Sequence, residues 1–408
     1  MRFSEAFGIN KSQSELDFVD IDLDADFPLF IDPYAISKRN DLWSINCHNQ
    51  IVTFFQRIID SIRNGDETTA KYMLSHLNEP NDTRLGLSLA KPQGKGVSGK
   101  QAEDLYSRLC ESSAVKTGFL KDLSDCELLV PGISRDKISD MTTNIIRRNL
   151  IDYTISQCYL HSINITDRIT SGFFWDFDKL EWVNDYFPLP SYSNRRIILV
   201  PKAIVRYDVS YDHREYYNHF VLNYLQAEHL RANTSLVRTL KKGIRRVYKK
   251  DLKSLYPCTK EFLYNFSKDH PEVLQHYKDT RMEKPDITNR EIIDGLDEHE
   301  VARNLIRILH GIPRGSDGAS DYHNLMIGVL TFIFYPYLLY PKKEQEIHEG
   351  RKRIDIIFTN AAKEDFFYRL HKIHGYPCPY IMVECKNYNG EPSNPELDQL
   401  SGRFSPNR

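Results

Sequence analysis

The sequence predicts an α+β protein in which an α-rich N-terminal region precedes a smaller α/β domain. Apolar residues recur at helical spacing through much of the first 297 residues, whereas residues 343–388 alternate between strand-like and helical runs. A chain of 408 residues is also longer than one compact core usually serves. We therefore expect an N-terminal region over 1–297, with a further division near 166–210, and a C-terminal domain over 298–408.

Composition excludes several classes of protein. Apolar residues make up 41% and charged residues 27% of the chain, as in soluble globular proteins. The sequence has no run of eighteen apolar residues, and its first twenty residues lack the apolar core of a signal peptide. The seven cysteines are scattered without CxxC pairs, which favours reduced thiols. We expect a cytoplasmic protein with no membrane partner.

The N-terminal region is predicted to consist mainly of helices. Residues 46–77 carry apolar side chains at helical spacing, and residues 115–165 are largely helical in pattern. Aromatic and proline residues dominate 166–210, where β-branched runs interrupted by Pro201 predict strands or a strand with a bend. Helical patterns return over 213–280 and again over 298–310.

A basic helix face is predicted within the stretch 236–255. Its apolar residues fall on one side of a helix and its basic residues on the other. The basic residues of this face are Arg238, Lys242, Arg245, Lys249 and Lys253. Such a face binds the phosphate backbone of a nucleic acid, although a solvated lysine face explains the pattern equally well.

A glycine-rich loop over 94–100 matches the GxxxxGK pattern of a phosphate-binding loop. Gln101 stands where that motif needs a Ser or Thr to bind Mg²⁺, and no acidic strand motif accompanies it. We therefore interpret the segment as a loop, with nucleotide hydrolysis as the minor alternative.

The C-terminal domain is predicted to contain a hairpin and a third strand between helices. An apolar helix ends at Tyr335-Pro336, and a turn at Glu349-Gly350 joins two strands, the second of which contains Asp355. A helix then ends at Gly375, and PYIMVECKNY forms the third strand. Side chains alternate along a strand, so Glu384 and Lys386 share a face and Cys385 points away into the core.

These residue types indicate metal-assisted hydrolysis. A charged pair at the end of so apolar a strand requires a compensating ion or substrate charge. Asp355 and Glu384 supply the hard oxygen ligands that Mg²⁺ prefers, and Mn²⁺ accepts the same ligands. Lys386 then orients or helps to deprotonate an attacking water and stabilises charge on the phosphate.

The order strand, turn, RIDIIF strand, helix, VECKNY strand, helix with LDQLSGR resembles the PD-(D/E)XK nuclease superfamily over roughly residues 300–408. The resemblance implies a three-layer α/β restriction-endonuclease-like domain with Asp355, Glu384 and Lys386 as catalytic residues. It also implies a supporting role for Gln399 and an upstream glutamate, for which Glu346 is preferred over Glu344. The family's proline is replaced by Ile354, and the domain is expected to end one strand early, as a truncated chain would.

The resemblance implies a Mg²⁺-dependent endonuclease acting on DNA, with restriction or anti-phage defence as its context. A second copy of the chain or a protein of a defence system are the partners that this context suggests. Two alternatives remain open: a nuclease of the same chemistry acting on RNA, and an inactive nucleic-acid-binding or assembly module. Gln399 and Arg403 are also explained by an exposed helix.

Overall fold

The computed structural model describes residues 1–86, 98–120, 122–208, 211–240, 243–282, 286–293, 295–347 and 352–390, together with residues 394 and 398. The first part of the chain is mostly helical. Its elements are α1 (Phe3–Ala6), β1 (Phe30–Ile31), α2 (Pro33–Ser37), α3 (Leu42–Arg63), α4 (Glu67–Leu74), α5 (Ser98–Glu111), α6 (Ser113–Lys116), α7 (Asp125–Leu129), α8 (Arg135–Ile145) and α9 (Arg147–Leu160).

Helix α3 is the longest element of this part. The residues at its two ends explain why it differs from the helix predicted over 46–77. The Asp41 side chain caps it by accepting a 2.8 Å hydrogen bond from the amide of Ser44. The helix ends at Arg63 because Gly65 adopts a left-handed φ of 75°, after which α4 begins. The predicted helix over 46–77 is therefore two helices.

Strands follow α9, as the sequence predicts. They are β2 (Thr166–Asp176), β3 (Glu181–Leu189), β4 (Ser191–Tyr192), β5 (Arg195–Arg196) and β6 (Val205–Arg206). The buried residues 197–200 between β5 and β6 do not form a ladder. Their amides are satisfied elsewhere, since Ile198 donates to the carbonyl of Asp82 and Leu199 to the hydroxyl of Thr154.

Short helices and one small hairpin make up residues 213–293. They are α10 (His213–Glu215), α11 (Leu222–Arg231), β7 (Arg238–Thr239), β8 (Arg245–Arg246), α12 (Lys249–Leu255), α13 (Lys260–Asp269), α14 (Pro271–Met282) and α15 (Asn289–Ile292). The predicted helix over 236–255 is wrong. Gly243 has a left-handed φ of 74°, and Leu240 donates to the carbonyl of Ile244 across a turn, so the chain folds back before α12.

The last described part contains α16 (Glu298–Gly311), α17 (Ala319–Phe334), β9 (Leu338–Ile347), β10 (Lys352–Asn360), α18 (Asp365–Tyr368) and β11 (Tyr380–Val383). The three strands form an antiparallel sheet in the order β11-β10-β9. The helix ending at Tyr335-Pro336 and the strand containing Asp355 were predicted. The third strand was predicted over 379–388 but ends at Val383, so Glu384 and Lys386 follow the strand and are not part of it. The predicted turn at 349–350 lies outside the described residues.

A small apolar core joins α17 to this sheet. Ile356 and Phe358 of β10 are fully buried and pack with Ile327 of α17 and with Leu338 and Cys385. These side chains fix α17 across one face of the sheet, because apolar area removed from water contributes about 25 cal/mol per Å². The N-terminal end of α17 is thereby held near the end of β11.

Strand β9 connects the sheet to the rest of the molecule. Leu339 and Tyr340 belong to the large core of the N-terminal region, and the amide of Tyr340 donates to the carboxylate of Asp17 at 3.3 Å. The chain thus has the mixed character of an α+β protein, with small sheets among many helices. No helix in the described part of the chain has the length and apolarity needed to cross a membrane.

Candidate functional site

Asp355 and Glu384 meet where the ladder between β10 and β11 ends. Ile356 pairs with Val383, so Asp355 and Glu384 occupy the next positions along the two antiparallel chains. The ladder stops at Val383, and the Asp355 carboxylate instead accepts a 2.8 Å hydrogen bond from the backbone amide of Cys385. This bond fixes the carboxylate at the end of the strand pair.

Lys386 forms an ion pair with Glu384 at this point. Its Nζ donates to Glu384 Oε1 at 2.8 Å, and the Glu384 side chain is only 7% exposed. Burial by itself lowers the pKa of Lys386, but the hydrogen bond to Glu384 and the charges of Glu384 and Asp355 outweigh burial and raise it above its ordinary value. Lys386 is therefore a cation at neutral pH, suited to orienting and stabilising negative charge.

His323 and Cys385 also approach Asp355. A ring nitrogen of His323, a carboxylate oxygen of Asp355 and the sulfur of Cys385 all lie within 4.8 Å of one another. His323 Nε2 is 3.8 Å from Asp355 Oδ2 and 3.3 Å from the carbonyl oxygen of Cys385. Three different metal-ligating groups thus surround one point.

Cys385 is buried, as the sequence predicts, and packs in the small core between α17 and the sheet. Burial, with the nearby charges of Asp355 and Glu384, raises the pKa of its thiol to about 12. The thiol nevertheless borders Asp355 as well as the core. Side-chain alternation along the strand predicted that Cys385 is buried, but not that its thiol lies beside Asp355.

The sequence interpretation did not assign His323 to the site. The residue lies one helical turn before Ile327, on the stripe of α17 that packs on the sheet. The sequence feature that could have identified His323 is its position at the end of the apolar stripe of α17. The signal becomes specific only when the packing of α17 on β10 is known.

The segment before α17 is tied to the residue that follows Lys386. Asn387 Nδ2 donates to the carbonyl oxygens of Pro313 and Gly315 at 2.8 and 3.0 Å, and the amide of Gly315 donates to the Asn387 carbonyl at 2.7 Å. These three bonds hold Arg314 beside the site. Arg314 is exposed, and its guanidinium has no hydrogen bond or ion pair within the described part of the chain.

The predicted supporting residues are described only in part. Gln399 and Arg403 lie outside the described residues. Glu346 pairs with Arg353 in the backbone register, and Glu344 occupies the position between the pairs Ile354–Gln345 and Ile356–Lys343, opposite Asp355. The side chains of both glutamates lie outside the described part of the structure.

The predicted basic residues do not share a helix face. Arg238 is paired with Asp251 at 2.7 Å, and Arg245 donates to the carbonyl of Leu230 at 2.6 Å. Lys249 donates to the carbonyl of Asn218 at 2.6 Å, while Lys253 is exposed on α12. Lys242 lies outside the described residues.

A second group of metal-ligating side chains consists of Glu127, Asp212 and His213. His213 Nδ1 lies 2.9 Å from Glu127 Oε1, and Lys260 Nζ lies 3.6 Å from Glu127 Oε2. The lysine already supplies the positive charge that the buried glutamate requires. This group is a structural ion pair, so the candidate site is the one around Asp355.

Comparison with known proteins gives one match. The profile of a family described as Domain of unknown function (DUF8370) matches residues 8–212, which is half of the chain. The chain therefore belongs to this family. No curated protein and no solved structure matches it. The matched residues end at Asp212, so His323, Asp355 and Cys385 lie outside the part that defines the family.

Proposed function

We propose that this member of the family is a metal-dependent nuclease that hydrolyses phosphodiester bonds in DNA, with Asp355, Glu384 and Lys386 as its catalytic residues. One observation carries the proposal: Asp355 and Glu384 occupy opposed positions where the β10–β11 ladder ends, and Lys386 is paired with Glu384 there. Neighbouring carboxylates on adjacent strands with a lysine beside them are the groups that phosphodiester hydrolysis needs.

The donor groups fit a divalent cation. Asp355 supplies an oxygen ligand whose orientation is set by the Cys385 amide, and Glu384 follows at the next position of the neighbouring strand. Carboxylate oxygens suit Mg²⁺ and Mn²⁺, and His323 adds a nitrogen that Mn²⁺ also accepts. When bound, such a cation makes water a stronger nucleophile and stabilises charge on the phosphate.

Each protein group has a separate part in the proposed reaction. The Cys385 amide positions Asp355, so the carboxylate requires no reorganisation when the cation binds. Glu384 holds Lys386 as a cation, which stabilises negative charge that develops on the phosphate. Binding of Glu384 to the cation would loosen its ion pair with Lys386 and free the ammonium group for the substrate.

The backbone of the nucleic acid is proposed to contact Arg314. The three hydrogen bonds of Asn387 hold the backbone on both sides of Arg314 next to the residue that follows Lys386, and a guanidinium binds phosphate through two parallel hydrogen bonds. The predicted basic residues of this stretch are proposed as weaker contacts, since Arg238, Arg245 and Lys249 already have protein partners. DNA as substrate and a role in restriction or anti-phage defence rest on the family resemblance alone.

The experiment compares cleavage of plasmid DNA and of RNA by the full chain with Mg²⁺ or Mn²⁺. The wild type is tested beside Asp355→Ala and Lys386→Ala, with Glu300→Ala and Lys372→Ala as controls that remove an exposed acid and an exposed lysine. We expect both site variants to lose at least about a hundredfold in rate, as when one charge-stabilising group is removed, and the controls to cleave normally.

Three results would overturn the proposal in different ways. Equal cleavage by the wild type and both site variants would show that Asp355 and Lys386 are not catalytic. Cleavage of RNA but not of plasmid would replace the substrate. Binding of DNA without cleavage in any metal would show an inactive nucleic-acid-binding module.

A further inference from the structure

A sulfur, a nitrogen and an oxygen atom face one another at the N-terminal end of the contact between α17 and the sheet. They belong to Cys385, His323 and Asp355, and the three ligand atoms lie within 4.8 Å of one another. Tetrahedral zinc sites place such atoms about 3.5 Å apart, given metal–ligand bonds of about 2.0–2.3 Å. Shifts of roughly 1 Å at each side chain are enough to close that difference.

The three residues come from elements whose relative positions are fixed. Ile327, one turn along α17 from His323, belongs to the same buried apolar cluster as Ile356, the neighbour of Asp355. The amide of Cys385 is bonded to Asp355, and His323 Nε2 lies 3.3 Å from the Cys385 carbonyl. These two hydrogen bonds keep the three ligand atoms within 4.8 Å of one another.

The chemistry of these ligands differs from that of a magnesium site. Thiolate and imidazole select borderline and soft ions such as Zn²⁺, whereas Mg²⁺ prefers oxygen ligands alone. Burial of a cysteine beside apolar neighbours is fully explained by packing. The backbone carbonyl and amide of Cys385 anchor the imidazole and the carboxylate, at 3.3 and 2.8 Å, and so keep both groups beside the sulfur at the edge of that core.

We propose that His323, Asp355 and Cys385 bind a divalent transition ion of the Zn²⁺ class, with the fourth position left to water. The thiol loses its proton to solvent when the ion binds. Because Asp355 serves both sets of ligands, an ion held there excludes the cation that supports cleavage. This last consequence rests on the proposed nuclease function, whereas binding of the ion does not.

Binding is tested with Co²⁺, which reports coordination by sulfur. Addition of Co²⁺ to the reduced full chain should give the ultraviolet absorption of a thiolate–cobalt bond. Cys385→Ser should abolish the band, and His323→Ala should weaken binding by at least about tenfold, as loss of a ligand exceeds loss of an outer partner. Cys258→Ser is the matched control because it removes an exposed thiol far along the chain.

The result that overturns the proposal is a wild type without the band, or a band that persists in Cys385→Ser. Circular dichroism and thermal unfolding of the metal-free variants check folding. If Cys385→Ser fails to fold, the tenfold weakening in His323→Ala decides the question alone, because His323 is half-buried at the end of its helix.

Cleavage provides the second readout. Zn²⁺ added to a reaction containing Mg²⁺ should inhibit the wild type, and the ratio of rates with and without Zn²⁺ should approach one in Cys385→Ser. Absence of the cobalt band in a protein that cleaves DNA would remove the transition-metal site and leave the nuclease. A cobalt band in a protein that cleaves nothing would support the transition-metal site and remove the nuclease function.

Discussion

The backbone amide of Cys385 donates a 2.8 Å hydrogen bond to Asp355 Oδ2. The bond lies one position beyond the last ladder pair, Ile356 with Val383, so a side chain takes the place of a backbone carbonyl there. The carboxylate is therefore oriented by the main chain, which no substitution at Cys385 other than proline removes.

Asp355→Asn should weaken metal binding and leave the stability of the fold nearly unchanged. The amide oxygen of asparagine still accepts the hydrogen bond of Cys385, so the free energy of unfolding should change by no more than about 1 kcal/mol. The lost negative charge should reduce Mn²⁺ affinity by at least about tenfold. Calorimetric titration with Mn²⁺ and denaturant unfolding measure the two quantities, and Asp269→Asn provides an exposed control. Unchanged Mn²⁺ affinity would contradict a metal-binding role for Asp355.

Glu384→Gln should lower the pKa of Lys386. Burial already acts to lower that pKa, and Glu384 is the main source of the opposing effect through its hydrogen bond and its charge. Titration of the isotopically labelled lysine side chain by NMR should show the shift. Asp355→Asn should lower the same pKa by less, because Asp355 acts through charge alone. An unchanged pKa in Glu384→Gln would contradict the ion pair.

Asp286→Asn should destabilise the fold by about 3–5 kcal/mol, because it removes a buried carboxylate that is shared by Arg39 and Arg206. Asp286 pairs with Arg39 at 3.1 Å, Arg206 at 2.8 Å and Lys363 at 3.4 Å. Urea unfolding of the variant beside Asp269→Asn measures the effect. A loss no larger than that of the control would show that these pairs contribute little.

The pH dependence of the same variant should reveal the charge of Asp286. Burial raises the pKa of this carboxyl, but Arg39, Lys363 and Arg206 outweigh burial and hold it well below its ordinary value. A depressed pKa stabilises the folded state above the ordinary value of about 3.9 and loses that effect as the pH falls. The wild type should therefore lose more stability than Asp286→Asn as the pH falls below about 4.

Lys202→Met should change how stability varies above neutral pH. Lys202 is fully buried, and burial lowers its pKa to about 7 in spite of the charge of Asp17. Between that value and its ordinary value, the unfolded chain holds a proton that the folded chain does not. The stability of the wild type should consequently rise with pH in this window.

The slope contributed by Lys202 is up to about 1.4 kcal/mol per pH unit. Unfolding free energies of the wild type and Lys202→Met are measured from pH 7 to 10. Their difference isolates the contribution of Lys202 from that of other titrating groups. Lys372→Met is the control, since Lys372 is exposed. Parallel pH profiles for all three proteins would show that Lys202 stays charged in the folded chain.

Sequence patterns predicted elements well where local forces decide them. The helix ending at Phe334 and the strand containing Asp355 follow from apolar spacing and stop signals. The third strand also follows from its apolar run, but it was predicted to reach Tyr388 and ends at Val383. The prediction failed at Gly65 and Gly243, where a left-handed backbone interrupts an otherwise helical pattern. The cost of a glycine within a helix is too small to predict which glycines end one.

The sequence by itself predicted the strand that contains Asp355 and the apolar strand that leads to Glu384 and Lys386, because apolar spacing and side-chain alternation are local properties. Only the tertiary structure decided that His323 reaches Asp355 and that Lys386 is paired with Glu384. It also decided that the predicted basic residues of 236–255 have separate surroundings. These relationships depend on how α17 packs on the sheet and where the chain turns, which distant apolar contacts decide.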